Sequence, residues 1–310
     1  MKAYLGIDTS NYTTSCALYL PKTGDVIQRK KLLPVKNGEL GLRQSDAVFH
    51  HTVQLPELMN ELFADFDGEI AGVGVSDAPR RVKGSYMPCF LTGVNAANSF
   101  SLAVKKPLYR FSHQQGHVAA AVYSVGKPEL FEKPFLAFHV SGGTTDALLV
   151  NPDKENIIDC EMLATSLDLK AGQAVDRVGV MLGFPFPAGK YVDELALKSE
   201  KRYKINIKLK EGNCCLSGVE NKCKAMLQNG ERPEDISRYC IDYIMAALVK
   251  MAEYQIERLG DMPILFSGGV MSSKVISAEL TKRFGAYFAK PEFSCDNAAG
   301  IAFLTNLKNE

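Results

Sequence analysis

Segments with strand periodicity and segments with helical periodicity follow one another in the same order twice along the chain, and this order constrains the fold most. "KAYLGIDTS", "TTSCALYL" and "DVIQRKKLLP" read as three consecutive strands joined by short turns. Residues 45–66 then carry Val48, Leu55, Leu58, Leu62 and Phe63 at helical spacing. A buried strand "IAGVGVS", a helix over residues 87–104 and a short strand "PLYRFS" complete the first half. The second half opens with two strands around Gly142-Gly143, "PFLAFHVSGGTTDALLV". It continues with a helix over 171–184, a long helix that starts at Pro233 and stops at Gly260, a strand "MPILFSGGV" and two further helices. A hairpin followed by alternating helices and strands, used twice without a sequence repeat, predicts a duplicated α/β fold of two lobes around a cleft. The expected division is 1–108 and 109–310.

Composition enters here as a set of exclusions. A chain of 310 residues is long enough for two cores. Its net charge of +1 gives no global field toward nucleic acid or membrane, so an RNA contact needs a local basic patch. Two stretches qualify: Arg80, Arg81 and Lys83 in "PRRVK", and residues 197–210. A solvated surface is the plain alternative for both. The apolar segment before Asp8 is too short for a signal peptide and no apolar run reaches the length of a membrane span, so the expected location is cytoplasmic. The eight cysteines lack paired Cys-x-x-Cys spacing, so scattered free thiols are preferred over a zinc site at Cys214, Cys215 and Cys223.

Three turns follow buried strands: "GIDTSNYTTS" with Asp8, Thr9 and Ser10, "VSGGTTD" with Val140, Ser141, Gly142 and Gly143, and "FSGGV" with Gly268 and Gly269. Gly, Ser and Thr at such turns expose backbone amides that suit an anion. Together they fit an adenine nucleotide, with Asp8 placed to orient a magnesium-bound water. Hairpin turns held by Asp and Thr side chains are the alternative.

"FSHQQGHVAAAVYS" puts His113 and His117 four apart, on one face of a helix. That spacing suits two imidazoles on one metal ion, and equally a helix that carries two polar residues. A zinc-protease reading fails, because Gln114 stands where that motif needs Glu. His139, just before the glycine turn, and Asp296, at the start of the last helix, extend the set. Three imidazoles and a carboxylate suit iron or zinc.

In this order the motifs resemble the TsaD/Gcp-type family of tRNA N6-adenosine threonylcarbamoyltransferases, within the actin-like, Hsp70-like ATPase superfamily of RNase H-like fold. "SHQQGH" resembles the family's His-x-Glu-Gly-His metal motif, and "HVSGGTT" its Val-Ser-Gly-Gly-His-Thr loop. The segment 166–196 resembles the stretch that ends in the family's Pro-Gly-Gly, "SGGVMSS" its Gly-Gly-Val-Ala-Ala-Asn, and "CDNAAGIA" its Asp-Asn-Ala-Ala-Met-Ile-Ala. The resemblance implies substrate or nucleotide positions at Asp176, Gly189, Asp193 and Ser273. It implies metal positions at His113, His117 and Asp296, with His139 where archaeal members carry a tyrosine that can touch the metal.

It further implies one divalent metal, threonylcarbamoyl-adenylate or ATP as nucleotide, tRNA as acceptor, and protein partners that include a TsaB-like paralogue. The first turn departs from the family's Glu-Thr-Ser-Cys-Asp-Glu-Thr: here it reads Asp8-Thr9-Ser10-Asn11-Tyr12-Thr13-Thr14. Gln115 replaces the metal motif's Glu, Thr144 the loop's His and Ser273 an Asn. These departures keep two alternatives open: a carbamoyl-type transferase with another acceptor, and a non-catalytic nucleotide-binding partner subunit.

Overall fold

The computed structural model describes residues 1–10, 12–34 and 42–310. The first sheet contains β1 (Lys2–Asp8), β2 (Thr13–Leu20), β3 (Asp25–Leu32), β4 (Glu69–Ala78) and β5 (Leu108–Ser112), in the order β3-β2-β1-β4-β5. β2 pairs antiparallel with β1 and β3, whereas β1, β4 and β5 run parallel. Helices α1 (Gln44–Phe63), α2 (Phe90–Val104) and α3 (His113–Val125) follow β3, β4 and β5 in the chain. The core packs Leu5, Ile7, Leu18, Val73 and Val75 of the sheet with Leu55, Leu58 and Leu62 of α1.

The second sheet has the same plan. It contains β6 (Phe135–Val140), β7 (Thr145–Asp153), β8 (Ile157–Thr165), β9 (Ile264–Ser267) and β10 (Tyr287–Phe288), in the order β10-β9-β6-β7-β8. β6 and β7 are antiparallel; β6, β9 and β10 are parallel. Between β8 and β9 come α4 (Ala171–Met181), α5 (Gly189–Lys198), α6 (Ser217–Gln228) and α7 (Pro233–Leu259); α8 (Lys274–Phe284) and α9 (Ala299–Asn309) follow. Phe138 and Phe266 stack at 4.8 Å in a core that includes Val175, Ile241 and Ile244. The expected duplication is therefore present at the level of strand order. β8 was not read from the sequence: it is an edge strand with Asp159 and Glu161 in it and few buried positions, so its apolar signal is weak. No helix among the described residues is long and apolar enough to cross a membrane.

The two compact units do not divide at 108/109. The first takes Met1–Glu132, Asn151–Cys160 and Glu292–Glu310, and the second takes Lys133–Val150 and Glu161–Pro291. The correction has a packing cause. A Cβ on Gly300 of α9 would lie 1.9 Å from the carbonyl oxygen of Gly116 in α3, and one on Gly6 of β1 would lie 2.4 Å from the Ala302 nitrogen. These glycines let backbone approach backbone, so α3 and α9 pack with the first sheet although α9 ends the chain. Gly300→Ala should destabilise the protein by about 2 kcal/mol or more, because both atoms nearest to the added methyl are backbone. Urea denaturation of the variant against the parent checks this.

Candidate functional site

Ser112 ends β5 and caps α3. Its hydroxyl accepts from the Gln115 amide (3.2 Å), and Gln115 Oε1 accepts from the Ser112 amide (2.7 Å). The Gln115 amide nitrogen donates to the carbonyl of Ile158 at 2.6 Å, which a glutamate carboxylate at this position would not do. Gln keeps the cap that Glu could also make and adds, through its side-chain Nε2, this bond from α3 to β8.

This cap sets His113 and His117 on consecutive turns, with their Nε2 atoms 2.9 Å apart. Asp296 Oδ1 lies 3.3 Å from His117 Nε2 and 3.7 Å from His113 Nε2. At the start of α9, Asn297 Oδ1 accepts from the Ala299 amide. Among the described residues, these three form the one grouping of His, Cys, Asp and Glu close enough to hold a metal ion. Cys214, Cys215 and Cys223 do not form one, and the cysteines are free.

Two residues of the first turn support the triad. Asp8, buried at the end of β1, accepts from His113 Nδ1 at 2.8 Å and from the Ser10 amide at 2.8 Å. Burial disfavours the charged form of both partners, but their mutual attraction and hydrogen bond outweigh it. The Asp8 pKa is lowered, and the His113 pKa, helped also by Asp296, is raised from 6.5 to about 9. Thr13, where the family carries an acid, donates to Asp296 Oδ2 at 3.3 Å.

The donor set fits a divalent metal. Asp8 holds Nδ1 of His113, leaving Nε2 toward His117 and Asp296, as a carboxylate behind a metal-binding imidazole fixes the ring and its tautomer. Asp8 is thus a partner of His113. Thr9 is likewise taken up internally: its hydroxyl donates to the Cys89 carbonyl and accepts from the Gly93 amide. Ser10 Oγ is buried and has no hydrogen-bond partner among the described residues, while Asn11 lies outside them.

The second unit holds a pocket of about 600 Å³. Six of the residues singled out in the sequence line it: Gly142, Asp176, Gly189, Asp193, Gly269 and Ser273. The glycine turn is held by a Ser141 amide to Thr144 carbonyl bond at 2.8 Å and is tied to α4 through the Gly172 amide and the Ser141 carbonyl at 3.1 Å. Nothing would stand within 4 Å of a Cβ on Gly142 or Gly143, so this turn faces open space. Asp176 accepts from the Ala188 amide at 2.8 Å, and Asp193 accepts from the Ser273 hydroxyl and the Lys274 amide, which anchors the start of α8.

Val140 is fully buried, and a Cβ on Gly268, at φ +100°, would lie 2.2 Å from the Val140 carbonyl oxygen. His139 belongs to the second unit, where its Nδ1 hydrogen-bonds with Ser267 Oγ at 3.1 Å. The sequence reading missed the pocket residues Lys190, Lys274, Glu194 and Ile241. Lys190 and Lys274 directly follow Gly189 and Ser273, and that adjacency is the signal available for them.

A sequence model of the TsaD family, tRNA N6-adenosine threonylcarbamoyltransferase, matches residues 35–303. The protein of that name from Bacillus licheniformis is 30% identical over 321 residues, covering 96% of this chain and 89% of its own length. That from Carboxydothermus hydrogenoformans is 29% identical over 319 residues, covering 97% and 90%. Among solved structures, T. kodakarensis HypF matches at a TM-score of 0.63 with 12% identity, over 99% of this chain and 47% of that one. Component A of the Acidaminococcus fermentans (R)-2-hydroxyglutaryl-CoA dehydratase matches at 0.56 with 16% identity, over 100% and 99%. At these identities the structural matches carry the fold alone, and it is the duplicated actin-like ATPase fold expected from the sequence.

The Asp8–His113 pair has a pH signature in metal-free protein. The raised His113 pKa contributes stability that is complete below pH 6.5 and is lost as pH rises through about 9. Denaturation of metal-free protein across this range should show stability falling with pH, and Asp8→Asn should flatten that slope.

Proposed function

The chain belongs to the TsaD family, tRNA N6-adenosine threonylcarbamoyltransferase, and we propose that it transfers a threonylcarbamoyl group from threonylcarbamoyl-adenylate to N6 of the adenosine next to the tRNA anticodon. The observation that carries this reading is the His113, His117 and Asp296 triad, backed by Asp8 and Thr13 although the first turn has lost the family's acids.

In the reaction, the N6 nitrogen forms a bond to the carbamoyl carbon, the bond from that carbon to the phosphate oxygen breaks, AMP leaves, and the amine gives up a proton. His113, His117 and Asp296 would hold one divalent metal, and imidazole with carboxylate suits iron or zinc. When bound, such a metal supplies Lewis acidity toward a carbonyl or phosphoryl oxygen. Asp8 fixes the His113 ring, and Thr13 orients Asp296 through the carboxylate oxygen turned away from the histidines.

In the second unit, the pocket volume suits an adenylate. Val175 and Ile241 offer apolar surface for a base, Asp176 and Asp193 offer acceptors for hydroxyls, and Lys190 and Lys274 offer positive charge for phosphate. The open Gly142-Gly143 turn offers backbone amides to an anionic group of the bound adenylate. Partner proteins, a TsaB-like paralogue among them, belong to this reading as proposals.

Incubation with threonylcarbamoyl-adenylate and unmodified tRNA, with and without TsaB-like partners, followed by nucleoside mass spectrometry, should reveal the modified adenosine. Release of AMP only when a different acceptor is present, with the carbamoyl-type group recovered on that acceptor, would favour a carbamoyl-type transferase with an altered acceptor, the reading to which the changed first turn otherwise points. His113→Ala should lose bound metal as measured by inductively coupled plasma mass spectrometry, and unchanged content would reject the ligand assignment. Thr13→Val should keep the ligands but weaken metal affinity about tenfold, measured by competition with a chelator.

A further inference from the structure

The proposed reaction leaves unused the loop between β4 and α2. From the last two residues of β4 to Met87, residues 77–87 carry three cations, Arg80, Arg81 and Lys83, against one carboxylate, Asp77, in a chain whose net charge is only +1. The loop has a defined form. The Arg80 amide donates to Ser85 Oγ at 3.1 Å, the Ser85 amide to the Val82 carbonyl at 3.0 Å, and Gly84 takes φ +83°. Arg81 pairs with Asp77 at 2.8 Å and has further N–H donors in its guanidinium. This turn leaves Lys83 exposed, with Val82 and Tyr86 each 62% exposed.

Two contacts hold the loop beside the triad. The amide of Gln114, the residue after His113, donates to the Pro79 carbonyl at 3.1 Å. At the other end of the loop, the Phe90 ring stands 6.4 Å, edge-on, from the His113 ring. In the second basic stretch, which belongs to the second unit, Lys201 is paired with Asp235 and Glu231.

Closely spaced cations with an exposed aromatic ring suit a polyanion that also offers flat bases. We infer that Arg80, Arg81 and Lys83, with Tyr86, form an RNA contact that holds the acceptor strand at the triad through its phosphates and one stacked base. The inference rests on the proposed tRNA substrate. It assigns the β4–α2 loop a role in acceptor binding and leaves the transfer step to the triad.

The test compares the parent with Arg80→Ala/Arg81→Ala/Lys83→Ala, with Tyr86→Ala, and with the charge-preserving Arg80→Lys/Arg81→Lys. tRNA affinity is measured over about 50–200 mM salt, alongside metal content and the KM and kcat of transfer. The triple variant should bind tRNA about tenfold or more weakly, and its salt dependence should be shallower by about 2 in the log–log slope. KM for tRNA should rise with kcat nearly unchanged, Tyr86→Ala should weaken binding with the slope retained, the Lys variant should keep the slope, and metal content should stay constant throughout. Parental affinity and slope in the triple variant, while the parent still modifies tRNA, would overturn the inference and leave the proposed function standing. The same result with loss of binding to an acidic polypeptide would overturn it in favour of a protein contact. Failure of the parent itself to bind or modify tRNA would reject the proposed function, and the inference with it.

Discussion

The backbone approach of α9 to α3 is the constraint on which the candidate metal centre depends. Gly300 against Gly116 and Gly6 against Ala302 leave no room for side chains at these crossings. Because α9 lies this close, the residues just before it are delivered to the first turn of α3. Asp296 then meets two histidines nearly 180 positions earlier in the chain. A larger residue at any of these glycines would push the carboxylate away from the imidazoles, so the packing of the first unit and the geometry of its ligands are one problem.

Around the triad, the first turn has been rebuilt and not dismantled. The family pattern carries acids where this chain has Tyr12 and Thr13, yet Thr13 still reaches Asp296 through a hydrogen bond. Asp8 supplies the charge that an imidazole ligand needs behind it. A hydroxyl in place of a carboxylate lowers the negative charge near the reacting groups. In the same unit, the turn after β4 carries three cations. Both features make the surroundings of the triad more positive, in the direction that favours a polyanionic acceptor.

The pocket of the second unit shows a different economy. Asp193 is held by the start of α8 and Asp176 by the Ala188 amide, so both carboxylates are oriented before any ligand arrives. The glycine turn is tied to α4 by its own backbone. Polar groups carried on helices and held by the amides that start a neighbouring helix are more precise than groups on loops.

Much of this was legible in the sequence. The strand and helix order predicted a duplicated α/β fold, because strand and helix periods differ sharply and the hairpin opening recurs. The His113/His117 spacing placed two imidazoles on one helical face, and the glycine turns marked the pocket. The edge strand β8 escaped, because half-exposed positions weaken the alternation that identifies a strand. The unit boundary escaped, because a terminal helix can pack anywhere that its glycines allow. The partners of individual side chains escaped for the same reason: Thr9 bonds to Cys89, Thr13 to Asp296 and Asp8 to His113 across separations of 80 to 283 residues and 105 residues. Local order along the chain determined the elements and the chemistry available at each turn. Only tertiary structure decided which of those groups meet, because long-range contact depends on how closely backbones can approach, and periodicity carries no record of that.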